Sequence, residues 1–245
     1  MLEEEIEIQT ASGTVDSVLF SEGSARCPGV IHLTDMGGVR PSQRQMARQL
    51  AEQGYTVLMP NVFYRTSRMP VFDFPIQIGE ERTMKRFSEL GAPLTPEAMD
   101  NDLAAYVDFL AANEHVSNGS MGVVGYCFSG KMALRAAAVR PGKIAAAASF
   151  HGGGLYTDGP TSPHLVLPKI RARLYFGHAI NDRSMPQEAI EKLNQALESW
   201  GGKFKSEVYP DAIHGWTVPD SHAYNPQQAE RAFAKLIELF AGTLQ

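Results

Sequence analysis

Cys127, Asp182 and His214 are the residues whose types and order in this chain could carry out nucleophilic chemistry. A thiolate attacks an acyl carbon far better than a thiol, so a nearby imidazole must take or share its proton. His214 could do this and later deliver a proton to a leaving alcohol. A carboxylate such as Asp182 would accept a hydrogen bond from the other ring nitrogen, fixing the tautomer and stabilising the imidazolium. Around Cys127 the chain reads Gly125-Tyr-Cys-Phe-Ser129, a small–x–nucleophile–x–small pattern between an apolar run and a helical one. A turn that sharp strains the nucleophile's backbone and has no room for bulk two residues to either side. Ser129 fits the nucleophile's place poorly, because Lys131 would then take the second small position. The competing reading is a buried, inert free cysteine at a strand end.

The elements that would position these groups follow from periodicity. Strands are expected at 3–9 and 14–20, forming a hairpin, then at 29–33, 55–59, 121–126, 144–150, 172–176 and 204–208. Helical spacing of apolar residues marks 41–53, 97–113, 132–139, 186–200 and 227–240. Strands alternating with helices imply an α/β chain with a mostly parallel sheet covered by helices on both faces. Residues 61–96, with Pro70, Pro75, Pro93, Pro96 and three phenylalanines, form an irregular excursion near the pocket holding at most a short helix around 80–90. No repeat or linker divides the chain, so 1–245 is expected to be one domain.

Composition narrows the function classes. Hydrophobic residues make up 44% of the 245 and charged residues 20%, ordinary globular usage. A net charge of −5 with no basic run argues against nucleic acid and anionic membranes as partners. The two cysteines, Cys27 and Cys127, suggest no disulfide framework, which suits a reducing compartment. An acidic start and the absence of an apolar run near ~20 residues complete the expectation of a cytoplasmic protein. No metal-ligand spacing appears, so no metal is expected.

In open parallel sheets ligands bind beyond the carboxyl ends of the strands. The reactive residues just past those ends are Asp35, Met36, Cys127, His151, Asp182 and His214. Nucleophile, acid and base then occur in the order found in α/β-hydrolases, with gaps of 55 residues (182 − 127) and 32 residues (214 − 182). The N–H groups of Phe128 and Met36 are candidates for an oxyanion hole. His151, before a run of three glycines, borders the expected pocket, and Tyr126 and Trp216 are candidates to line it. Asp211 lies too close to His214 in sequence to orient the same ring. His178 and Cys27 are read as a loop histidine and a structural thiol.

Taken together, Gly-Tyr-Cys-Phe-Ser-Gly at 125–130, Gly-x-x-x-x-Asp at 177–182, Tyr-Pro-x-Ala-x-His-Gly at 209–215 and Gly-Tyr-x-Val-x-x-Pro at 54–60 resemble the dienelactone hydrolase family. The resemblance runs from about Gly29 to Phe240. It implies an α/β-hydrolase fold, a Cys–Asp–His triad at Cys127, Asp182 and His214, no cofactor, and a small-molecule ester or lactone substrate. In that family a Glu in the first strand-end loop interacts with the resting thiol, and Asp35 occupies its place here. The family's Ser after the triad His and Arg four residues beyond it are replaced by Gly215 and Val218, removing a charge-assisted contact to a substrate carboxylate. Arg65, Arg82, Lys85 and Arg86 are the nearby basic residues that could substitute for it. The second functional reading is a non-catalytic scaffold of the same fold, used for small-molecule or partner binding.

Overall fold

A computed structural model describes residues 1–23 and 25–244. The chain opens with the antiparallel pair β1 (Leu2–Thr10) and β2 (Gly13–Ser21), turning at Ala11-Ser12. Then follow β3 (Gly29–Leu33), α1 (Pro41–Ala51), β4 (Thr56–Pro60), α2 (Glu81–Gly91) and α3 (Pro96–Ala112). The second half contains β5 (Met121–Tyr126), α4 (Gly130–Val139), β6 (Ile144–Phe150), β7 (Arg173–His178), α5 (Gln187–Trp200), β8 (Phe204–Val208) and α6 (Pro226–Ala241). The eight strands form one sheet in the order β1-β2-β4-β3-β5-β6-β7-β8, antiparallel at β1-β2-β4 and parallel from β4 to β8.

The expected elements are all present, with ends shifted by a few residues. Between β6 and β7 the chain also makes a 3-10 turn at Pro163–Lys169. The excursion carries its short helix as α2, and a cis Met69–Pro70 bond lies within it.

Two apolar layers explain why the strands read as continuous hydrophobic runs. Every residue of β3, β4 and β5 is buried, and successive side chains serve opposite faces. Val123 points into the layer under α3, α4 and α5, while Val124 joins Met46, Leu50, Leu236 and Phe240 under α1 and α6. Burial of the larger of these side chains stabilises the fold by about 1.5–3 kcal/mol each. Helix α3 is started by Thr95, whose hydroxyl accepts from the Ala98 N–H, and α6 by Asn225, which accepts from Gln228.

The chain runs from β3 outward to β4, then returns to place β5 on the other side of β3. Crossovers therefore leave in opposite directions at the β3–β5 boundary, the place where open parallel sheets form a crevice. The chain just beyond β3 holds Asp35 and Met36; just beyond β5 stands Cys127.

Candidate active site

The nucleophile elbow is built by sterics at Gly125 and a hydrogen-bond knot at Ser129. Cys127 has φ 57°, the left-handed region that side chains other than glycine seldom enter. A Cβ on Gly125 would lie 2.2 Å from the Ser129 carbonyl oxygen, so only glycine fits as the chain doubles back. The Ser129 hydroxyl accepts from the Tyr126 N–H at 2.9 Å and donates to the Leu33 carbonyl at 2.8 Å. It thereby ties the elbow to the end of β3, a bond that glycine at this position could not make.

Around the sulfur the three expected residues come together. Cys127 Sγ lies 3.0 Å from His214 Nε2, and His214 Nδ1 lies 2.6 Å from Asp182 Oδ2. Asp182 is almost fully buried, with a side chain 4% exposed, whereas the His214 side chain is 32% exposed. Burial acts to lower the His214 pKa, but hydrogen bonds and charge from Asp182 and Cys127 outweigh it and push it up to about 10. Burial acts to raise Asp182, yet its bonds to His214 and Ser184 hold the carboxyl below its ordinary value. The arrangement can hold an imidazolium between a carboxylate and a sulfur, which is the charge pattern an activated thiol requires.

The oxyanion candidates lie just past the ends of the adjacent strands β3 and β5. Met36 follows Asp35 in a tight turn closed by Gly38 N–H to Asp35 O at 3.0 Å, with Gly38 at φ 68°. The Met36 N–H donates no hydrogen bond among the described residues. Phe128 is half-buried, and Met36 and Phe128 pack on the same apolar layer.

The other candidates are engaged within the fold. Asp35, a candidate to contact the thiol, has both of its oxygens engaged by Arg40, at 2.6 and 2.9 Å, and Oδ1 also accepts from the Gly37 N–H. Arg40 also binds Asp220, at 2.8 and 3.0 Å, so Asp35 locks the first strand-end loop to the segment after His214. Trp216 is fully buried and stacked on Tyr209, which takes it off the substrate-facing surface. Tyr126 is also buried, packed between His32 and Phe150. His151, at φ 41°, has its ring edge-on to His214 at 5.2 Å and its Nε2 2.7 Å from Thr217 Oγ1. It backs His214 from within the protein. Among the described residues Asp211 makes no hydrogen bond to His214, and His178 is buried against Ser206. Cys27 sits in an isolated bridge to Val116.

Two residues near the site carried no sequence signal that singled them out. Ser184 donates to Asp182 Oδ1 at 2.7 Å and lies 3.2 Å from His214 Nδ1. Lys131, one helical turn after Cys127, places its ammonium 4.0 Å from the centre of the Phe128 ring. Lys131 makes no ion pair among the described residues, and burial lowers its pKa. Of the expected basic substitutes, Arg65 is bound by buried Asp102, Arg82 lies over Phe74, and Arg86 is held by the Val71 carbonyl and Glu89.

Comparison with known proteins gives the same family as the motifs. The dienelactone hydrolase family model matches residues 15–244. The chain belongs to the dienelactone hydrolase family. It is 26% identical over 244 residues to the carboxymethylenebutenolidase of Pseudomonas putida, covering 98% of this chain and 97% of that one. Its identity to the carboxymethylenebutenolidase of Rhodococcus opacus is 27% over 214 residues, 86% and 79% of the two chains. A crystal structure from Klebsiella pneumoniae superposes with a TM-score of 0.86 at 20% identity, covering 98% of each chain. The fold is that of the α/β-hydrolases, and the family member described here is an ester or lactone hydrolase. Among the described residues no helix is long and apolar enough to cross a membrane. Among the described residues no group of three His, Cys, Asp or Glu is placed to hold a metal ion.

Proposed function

We propose that this family member hydrolyses small esters or lactones through a covalent acyl-thioester on Cys127, with His214 as acid and base and Asp182 as its orienting carboxylate. The observation that carries this reading is the unbroken line from Cys127 Sγ to His214 Nε2 (3.0 Å) and from His214 Nδ1 to Asp182 (2.6 Å). The thiolate attacks the acyl carbon, and the carbonyl π pair moves to oxygen, facing the N–H groups of Met36 and Phe128. As the tetrahedral intermediate collapses, the C–O bond to the alcohol breaks and His214 gives its Nε2 proton to the departing oxygen. In a lactone that alcohol remains tethered to the acyl chain. Neutral His214 then takes a proton from water, the hydroxide adds to the thioester, and the thiolate leaves with its electron pair. The acid is released and the starting charge state returns.

An ester or lactone with an apolar acyl part suits the site, because Phe128, next to Cys127, packs in one apolar layer with Phe63 and Met36. Turnover of p-nitrophenyl acetate and butyrate, with cis- and trans-dienelactone beside them, tests the reading in wild type and Cys127→Ala. Turnover lost in a folded Cys127→Ala protein supports it. Undiminished turnover in that variant ends it, and a folded wild type inert on all four compounds favours the binding scaffold.

A further inference from the structure

Asp182 has two carboxylate oxygens, and only one of them faces His214. Oδ1 accepts from the Ser184 hydroxyl at 2.7 Å and from the Ser184 N–H at 2.8 Å. The same hydroxyl oxygen lies 3.2 Å from His214 Nδ1. Ser184 is itself exposed, so it stands between solvent and the open edge of the Asp182–His214 bond. Its carbonyl accepts from the Gly154 N–H at 2.7 Å, while the neighbouring Gly153 N–H reaches the Cys127 carbonyl at 3.3 Å.

This arrangement also gives a reason for the glycine run after His151. A Cβ on Gly153 would lie 2.9 Å from Ser184 Oγ and 3.0 Å from its Cβ. Glycine at 153 leaves the serine room to reach Asp182. The loop after β6 therefore touches the backbone of the nucleophile at one residue and cradles the serine behind the triad at the next.

Resting on the reading of Cys127, His214 and Asp182 as a triad, we infer that Ser184 is a fourth, positioning residue: its hydroxyl fixes the Asp182 carboxylate and covers the Asp182–His214 bond, and Gly153 is glycine to admit it. Removing the hydroxyl leaves Oδ1 with one donor and opens the bond to water. Asp182 then protonates more readily, and the imidazolium facing the sulfur is held less firmly; both changes move the loss of activity in acid to higher pH. The other titratable groups near this pair are Cys127, His151 and His178. Burial keeps both of these other imidazoles neutral, lowering His151 and bringing His178 down to about 4. Neither supplies a charge that could take the place of the hydroxyl.

The test measures kcat and KM for p-nitrophenyl acetate from pH 5 to 10 in wild type, Ser184→Ala, Gly153→Ala and the double variant. Iodoacetamide alkylation of Cys127 over the same range supplies a readout that needs no substrate. For Ser184→Ala we expect kcat to fall about three- to tenfold with KM nearly unchanged, and the acid limbs of turnover and alkylation to move up together. Gly153→Ala, whose methyl displaces the serine, should act in the same direction and cost less in the Ser184→Ala background than alone. Wild-type kcat with unmoved acid limbs in Ser184→Ala overturns the inference, as do fully independent effects in the double variant. Failure of the hydrolase reading is distinguishable: Cys127→Ala would then retain turnover, whatever Ser184→Ala does to alkylation.

Discussion

The sharpest consequence of the elbow geometry concerns Gly125. Replacing it with alanine puts a methyl carbon 2.2 Å from the Ser129 carbonyl oxygen, 2.6 Å from its carbonyl carbon and 3.0 Å from the Gly130 nitrogen. All three are backbone atoms, and Ser129 is additionally anchored to Leu33 on the neighbouring strand. No flexible side-chain tip can yield. Restoring an ordinary contact of 3.4 Å requires a displacement of about 1 Å at the 2.2 Å contact. Overpacking a well-filled site costs about 1–3 kcal/mol, and a clash against backbone falls at the upper end. In a chain of this size about 3 kcal/mol lowers Tm by roughly 6–12 °C. The functional loss should be larger than the stability loss implies, because misplacing a reacting atom by ~1 Å costs about 100-fold in rate. That displacement would stretch the 3.0 Å Cys127–His214 contact beyond hydrogen-bond reach. The assay pairs kcat/KM for p-nitrophenyl acetate with thermal unfolding. Gly91→Ala is the matched control: a Cβ there meets nothing within 4 Å, so restricting the unfolded chain should stabilise by about 0.4–1 kcal/mol without touching activity. A Gly125→Ala protein within threefold of wild-type activity and with an unchanged Tm would refute the steric account of the elbow.

Other expectations follow from the same geometry. His214 is raised to about 10 from an ordinary 6.5, so its contribution to stability is fully present below about pH 6.5 and is lost as pH rises through about 10; the His214→Gln protein should lack that alkaline slope in urea unfolding. Because the same proton is the one given to the leaving alcohol, the acylation rate in single-turnover measurements should also fall near pH 10 in wild type. Lys131→Met removes the unpaired ammonium over Phe128; it should weaken kcat/KM for carboxylate-bearing esters about tenfold relative to neutral ones, and equal losses for both would exclude charge recognition. Arg40→Ala cuts the tie between Asp35 and Asp220, and with a largely shielded Asp35 carboxylate left behind it should destabilise by about 1–3 kcal/mol while leaving the pH dependence of Cys127 alkylation unmoved.

Much of this architecture could be read from sequence because local constraints leave local traces. The elbow needs small residues at 125 and 129 for steric reasons, and those reasons operate within five residues of chain. Strand and helix periods likewise survive in β3, β5 and α6, where one or both faces meet a packed layer. Asp182 and His214 were readable because each closes a strand-end motif. The partners of Asp35 were not readable, for the opposite reason. Its partner Arg40 is five residues on, but the Asp220 that completes the clamp is 180 residues beyond Arg40. An acidic side chain beside a glycine turn looks the same whether a thiol or a guanidinium awaits it. Trp216 shows a related ambiguity: a large aromatic next to a reactive histidine suits a pocket wall and a core equally, and only the packing of Tyr209 and His151 against it decides.

The departures from the family pattern were harder to read than the matches, and the structure gives two of them a physical cause. Ser129 reads in sequence only as the elbow's second small residue, yet its hydroxyl also accepts from the Tyr126 N–H and donates to the carbonyl that ends β3. Gly215, in place of the family's serine, has φ 96°, and a Cβ there would stand 2.9 Å from Ser221 Oγ. The turn after His214 is therefore set by backbone freedom. Val218 is buried in the layer under α1 and α6, so an arginine there would bring an unpaired charge into an apolar layer. The loss of the family's guanidinium thus goes with how this segment packs. A substrate anion would have to be met by a cation on another element, and Lys131, at the start of α4, has its ammonium over the Phe128 ring and in no ion pair among the described residues.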